Sequence, residues 1–191
     1  MGGVVSGVRS IASGVDTIAG EYDKLDICGV AGALWTDWDS DWDHKADWQV
    51  IPVYASRALA NARFGSEISW EVMISPLAMI WPATWALIFD HFDPSEVELA
   101  AFSKLGPNEE LKTHSHENSG HKIFHLGIEI PDGDVGLSHS GGEHKWKERG
   151  DWVVFDDTKD HSAWNRTDCN RILFYLDLKD GKGVSNLRLA E

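Results

Sequence analysis

Cysteine is nearly absent from this sequence. Cys28 and Cys169 are the only two in 191 residues. They form no CxxC pair and no Cys–His zinc spacing, so a disulfide framework and a zinc ribbon are excluded. Both are expected to be reduced, in a cytoplasm-like (cytoplasmic) compartment. Basic residues are also scarce: 17 Lys and Arg face 31 Asp and Glu, a formal charge of −14. No nucleic-acid partner is expected, because that footprint needs a basic face. Simple attraction to anionic membranes is excluded for the same reason. An anionic small ligand needs a local cation that overrides the global field. Repeats and low-complexity tracts are missing. Residues 1–20 lack the basic start and apolar block of a secretory signal, and Asp16 interrupts them.

Charge is missing altogether from Val72 to Phe89, VMISPLAMIWPATWALIF. Such a run reaches the lower edge of a membrane span. Pro76 and Pro82 weaken it, as do Ser75 and Thr84, and no basic flank follows. It reads as buried helix plus turn, bent or divided at Pro82, rather than as membrane contact.

What is present describes a single domain over residues 1–191, long enough to bury about 70% of its unfolded surface. Val4, Val5, Val8, Ile11, Val15 and Ile18 recur at helical spacing, so one amphipathic helix is expected over residues 3–23. Asp37, Asp39, Asp41 and Asp43 resemble a calcium loop at first sight. Trp42 stands where that loop needs glycine and Trp48 where it needs glutamate, so a solvated acidic loop is expected. WQVIPVY (48–54) reads as a strand, with Pro52 favouring an edge. After residue 96 the pattern turns to short strands: VELAAFSKL, KIFHLGIEIP, HKWKER, DWVVFDD, HSAWN and RILFYLDLKD, separated by turn residues. Residues 1–96 are therefore helical support plus a first strand, and residues 97–180 a barrel core. The expected fold is mainly β: a double-stranded β-helix, the cupin-like jelly roll, with N-terminal helices.

Nine histidines are few, yet His114, His116, His121 and His125 fall within seventeen residues, KTHSHENSGHKIFHLGI. A barrel brings inward side chains of separate strands around one cavity, so His114 and His161 could converge across 47 residues. Two imidazoles suit iron(II) and leave positions open for substrates and dioxygen. Any chain with nine histidines holds many such pairs, so the pair alone does not decide. Arg171 opens the strand RILFYLDL. Ile172, Phe174, Leu176 and Leu178 share one apolar face, and Arg171 lies opposite with Leu173, Tyr175 and Asp177. That mixed face is either a polar cavity wall or a half-wet surface. Asp177 lies about 20 Å away along the strand and cannot pair with Arg171. Arg171 is then a solvated or cross-strand ion-paired residue, or it grips the distal carboxylate of a dicarboxylate cosubstrate.

FSKLGPNEELKTHSHENSGHKIFHLGIEIP and WVVFDDTKDHSAWNRTDCNRILFYLDL together resemble the aspartyl/asparaginyl β-hydroxylase family of 2-oxoglutarate-dependent oxygenases, over about residues 98–180. ADWQVIPVY is a fainter upstream echo. The resemblance implies a hydroxylase using Fe(II), 2-oxoglutarate and O2, and releasing succinate and CO2. It implies iron ligation by His114 and His161, and one 2-oxoglutarate carboxylate bound by Ser103 and Arg171. It further implies that His125 contacts the cosubstrate at its metal-proximal carboxylate.

Two departures stand out. The family commonly has glycine two residues after the first histidine, and this chain has His116 there. His116 is a candidate third ligand; the alternatives are a donor to bound water and a residue turned outward. Glu117 is one residue past the acidic slot of an H-x-D/E motif and is not expected to ligate. Members acting on aspartyl side chains place arginines before HLG, where this chain has His121 and Ile123. The substrate is therefore left as a small molecule or a peptidyl group. His44, His91, His139 and His144 are expected at the surface, with HSGGEH near the cavity mouth. Asp156 and Asp157 are expected to orient ligands and shape a turn. The competing classes are a three-histidine cupin-like oxygenase or isomerase without 2-oxoglutarate, a halogenase, and a non-catalytic binding barrel.

Overall fold

The computed structural model of the chain describes residues 3–37, 47–67, 69–116 and 121–179. Most of the acidic tract (Asp39, Asp41, Trp42, Asp43 and His44) and Glu117 lie outside the described residues. The expected first helix is two: α1 (Gly3–Ser13) and α2 (Val15–Ile27). Gly14 divides them, at φ −89° and ψ 13°. A Cβ there would come within 2.4 Å of Leu87 Cδ2. Any larger residue there would have to displace the Leu87 methyl, and glycine's helix propensity is poor by about 1 kcal/mol. Periodicity registers neither effect, because the apolar stripe continues: Val8, Ile11 and Ile18 are all fully buried.

α3 (Ala31–Leu34), β1 (Thr36–Asp37), β2 (Trp48–Ala55) and α4 (Arg57–Phe64) follow. β1 pairs only with Gln49 and Val50, so Pro52 sits on an otherwise open stretch of strand among the described residues. The uncharged run forms α5 (Trp70–Ile80) and α6 (Pro82–Phe89), bent by 108° at buried Trp81. No single described helix is long and apolar enough to cross a membrane. Pro82 opens α6, where its missing N–H costs nothing. Glu21 of α2 accepts from the Ala83 and Thr84 N–H groups at 2.8 and 2.9 Å, satisfying the amino end of α6. The burial is one-sided: Ile74 is covered, while Val72 and Met79 on the outer face are exposed.

Eight strands make the barrel: β3 (Val97–Leu105), β4 (Glu109–His114), β5 (Lys122–Glu129), β6 (Val135–His139), β7 (Gly142–Lys145), β8 (Trp152–Asp156), β9 (His161–Asn165) and β10 (Arg171–Leu178). Together with β1 and β2 they form antiparallel sheets ordered β1-β2-β3-β10-β5-β8 and β4-β9-β6-β7. The chain passes repeatedly between the two sheets, which is the double-stranded β-helix expected from the strand pattern. β4 and β6 are additional to the anticipated strands. β4 has one apolar residue, Leu111. β6 carries Gly136, where a Cβ would fall 2.2 Å from the Trp164 ring, so its second position has no side chain to mark a strand. HKWKER is a strand only as far as Lys145.

The two faces of the large sheet are packed differently. Ile172, Phe174, Leu176 and Leu178 join Phe102 and Phe124 against Val8, Ile11, Ile18 and Trp81 of the helical layer. Leu173 instead joins Ile123, Val135, Leu137, Trp146, Val153, Phe155 and Ala163 between the sheets. The face of β10 that carries Arg171 is therefore the barrel interior.

Candidate functional site

His114 ends β4 and His161 opens β9, and the two are cross-strand partners. Their ring centroids are 4.2 Å apart. His116 lies two residues beyond, 5.5 Å from His114 and 6.1 Å from His161 between centroids. One potential ligand atom from each ring lies within 4.8 Å of the others. His114 Nδ1 is 2.7 Å from the Lys112 carbonyl, and His161 Nδ1 is 2.9 Å from the Lys159 carbonyl. A carbonyl only accepts, so both Nδ1 atoms carry the proton and Nε2 keeps the lone pair that a metal needs. His116 Nδ1 lies 3.0 Å from Asp157 Oδ2, which orients that ring in the same sense. Burial disfavours the charged ring at His114 and His161 and lowers both pKa values. These are neutral imidazoles, the form that binds metals. Oxygen-rich pockets suit magnesium or calcium; three imidazoles suit iron, zinc or copper.

Register places the cosubstrate candidates on the interior face. Leu173 pairs with Ser103 on one side and Gly127 on the other; Tyr175 pairs with Ala101 and His125. Arg171, Ser103 and His125 therefore share one face, with Ser103 one rung from Arg171. Arg171 is 1% exposed, and its Nε and Nη1 have no hydrogen-bond partner among the described residues. Burial without a counter-charge lowers its pKa from 12.5 to about 9. Ser103 Oγ accepts from Trp48 Nε1 at 3.0 Å, leaving its own proton to donate. Buried His125 has an unpartnered Nδ1, and burial holds its pKa well below the usual range, reinforced by the Arg171 charge. A buried guanidinium with idle donors is costly unless an anion joins it. A small diacid fits that requirement.

Other expectations are corrected. His139 and His144 are not free surface residues: burial lowers the pKa of each, and His144 Nε2 is buried without a partner. His144 pairs with Leu137 of the interior cluster, so it faces inward. His91 is exposed, as expected. Asp156 Oδ1 accepts from the Thr158 N–H and hydroxyl, shaping a turn. Asp157 meets His116, and its Oδ1 lies 3.6 Å from His161 Nε2. His121, at an expected arginine position, is 2.8 Å from Asp177 Oδ1, so no unpaired cation stands there. Trp146 was not anticipated at all. It is 2% exposed and belongs to the interior cluster. The signal was in the sequence: Lys145, Lys147 and Arg149 alternate on the solvent side, which leaves His144 and Trp146 to the other face.

The chain is similar to several known proteins. Over 98 residues the chain is 32% identical to the ornithine lipid ester-linked acyl 2-hydroxylase of Rhizobium tropici. The match covers 50% of this chain and 34% of that enzyme, so this chain spans about a third of its curated relative. Among solved structures, a predicted oxalate decarboxylase from Thermotoga maritima has a TM-score of 0.41 at 16% identity, covering 70% of this chain and 81% of that one. KdgF from a Halomonas species has a TM-score of 0.43 at 12% identity, covering 77% and 88%. Residues 13–180 match the family described as Aspartyl/Asparaginyl beta-hydroxylase, and the chain belongs to that hydroxylase family.

Proposed function

We propose that the chain is a non-haem Fe(II)- and 2-oxoglutarate-dependent dioxygenase that hydroxylates an unactivated carbon. The observation that carries this reading is Arg171: a fully buried cation without an anionic partner among the described residues, on the barrel-interior face, while buried His161, half-buried His114 and exposed His116 cluster at the ends of β4 and β9. His114 and His161 would hold the iron, with His116 as third ligand and Asp157 fixing its ring. Arg171 and Ser103 would hold the distal carboxylate of 2-oxoglutarate, and His125 would contact the end nearer the metal. Bound iron would supply the dioxygen chemistry, in which substrate, O2 and 2-oxoglutarate give hydroxylated substrate, succinate and CO2. Val153, Phe155 and Leu137 line the interior and exclude water from it.

The substrate is read from the positions before HLG. His121 is tied to Asp177 and Ile123 is apolar, so no carboxylate clamp stands there. This argues against an aspartyl side chain. The name of the Rhizobium relative adds a lipid acyl chain to the small-molecule and peptidyl candidates, and an acyl carbon needs no clamp.

The test is succinate formation from 2-oxoglutarate by purified, iron-loaded protein. His114→Ala should abolish it and weaken metal binding in a parallel titration. Wild-type turnover by that variant overturns the assignment of His114. The three-imidazole set also favours a second reading, a cupin-like oxygenase or isomerase that does not use 2-oxoglutarate. Substrate conversion without succinate selects it, and metal binding without any turnover selects a non-catalytic barrel.

A further inference from the structure

Among the described residues, the buried side-chain nitrogens that lack a hydrogen-bond partner fall mostly in one place. Arg171 Nε and Nη1, His125 Nδ1, Trp146 Nε1 and His144 Nε2 are all in this state around the barrel interior. Trp81 Nε1 is also unpartnered, but it lies in the helix-packed core on the other side of the large sheet. Trp146 stands at the centre of the interior group. The Arg171 guanidinium carbon is 5.8 Å from the Trp146 ring centroid. The His144 and His125 ring centroids are 4.8 and 6.1 Å away. Trp146 follows β7 of the small sheet and Arg171 belongs to the large one, so the indole meets the guanidinium from across the barrel.

An indole N–H can only donate. Burying it unpaired costs about 1–3 kcal/mol, and at 2% exposure Trp146 has no recourse to solvent. Its neighbour Arg171 is also a donor and offers it nothing. Both groups lack the same thing, an acceptor, and one carboxylate between them would serve both. The ring face also attracts the guanidinium through its quadrupole, which holds the fork in place before any ligand arrives.

We propose that Trp146 is a cosubstrate-binding residue: its N–H donates to the distal carboxylate of 2-oxoglutarate while its ring face positions Arg171. This rests on the 2-oxoglutarate reading and extends it to the opposite barrel wall. The ligand would then be gripped by Ser103 and Arg171 from one sheet and by Trp146 from the other.

The test is calorimetric binding to manganese-loaded protein with two ligands. N-oxalylglycine carries a distal carboxylate, and oxalate has only the metal-binding end. Trp146→Phe keeps the ring and removes the donor. It should weaken N-oxalylglycine about tenfold or more, as expected for a hydrogen bond to a charged group, and leave oxalate within twofold. Equal weakening of both ligands means a merely structural role and overturns the proposal, as does unchanged N-oxalylglycine binding. Arg171→Ala run alongside keeps the two ideas apart: if it too binds N-oxalylglycine normally, the cosubstrate reading itself fails. Trp146→Met also lacks the donor, and it repeats the comparison if the Phe variant does not fold.

Discussion

Arg171→Met should make the metal-free protein more stable and the working protein useless. The side chain is 1% exposed, with two idle donors and no anion against it among the described residues. A guanidinium held at about 9 instead of 12.5 has its charged form disfavoured by about 5 kcal/mol. Methionine fills a similar volume without the charge. Replacing buried charges by apolar groups of matching size commonly stabilises by about 1–4 kcal/mol. For a chain of this length, each kcal/mol moves Tm by about 2–4 °C. The variant should therefore melt about 2–16 °C higher in thermal denaturation followed by circular dichroism, without metal or cosubstrate. N-oxalylglycine should bind it at least about 30-fold more weakly, because truncating one side of a buried charge pair costs about 2–5 kcal/mol. Opposite signs in the two measurements are the signature of a charge kept for a ligand. A variant that melts lower means that Arg171 is already satisfied within the folded chain, and the central observation behind the proposed function disappears.

Two further outcomes follow from the imidazoles and their partners. Burial lowers the folded pKa of His114, His125, His139, His144 and His161. The unfolded rings take up protons near 6.5 while the folded ones resist, so stability is present above about pH 6.5 and is lost as pH falls below it. His121, raised by its hydrogen bond to Asp177, works in the opposite sense, but it is one ring against five. Metal-free protein should melt lower at pH 5 than at pH 7 in thermal denaturation followed by circular dichroism. A flat or rising Tm contradicts the burial of these rings. Asp157→Asn should leave the fold intact, because the amide oxygen can still accept from His116 Nδ1, yet weaken manganese binding about 10–100-fold. Unchanged affinity in a metal titration shows that the carboxylate does not tune the imidazole group.

The elements legible in the sequence were those whose two faces differ in chemistry. β10 has one wholly apolar face (Ile172, Phe174, Leu176, Leu178), so which residues share a face followed from the letters and the two-residue period of a strand. Which face looks inward did not follow, because Arg171, Leu173, Tyr175 and Asp177 suit a cavity wall and a wet surface equally. Only the division of the packing, with Leu173 between the sheets and Phe174 against the helices, decides it. β4 escaped because the small sheet exposes much of this strand: three of its six residues are exposed, and a strand with one apolar residue has no period to detect. The break at Gly14 escaped for another reason. It depends on Leu87, more than seventy residues away, and no local window contains that contact.

The same distinction explains the site. His114 and His161 are paired in the sequence only through the family resemblance, since β4, which His114 ends, has no detectable period and a pair among nine histidines does not decide by itself. The orientation of His116 depends on Asp157, which reaches it only after the chain has turned through four more strands. HKWKER reads as a strand, but its alternation of Lys145, Lys147 and Arg149 with His144 and Trp146 does not say what the indole meets. Those cations are what make the inward turn affordable in physical terms, since Lys145, Lys147 and Arg149 stay exposed while the indole crosses to the other face. An aromatic set between alternating charges is thus better read as a residue with an interior task, and the idle N–H of Trp146 narrows that task to holding an acceptor.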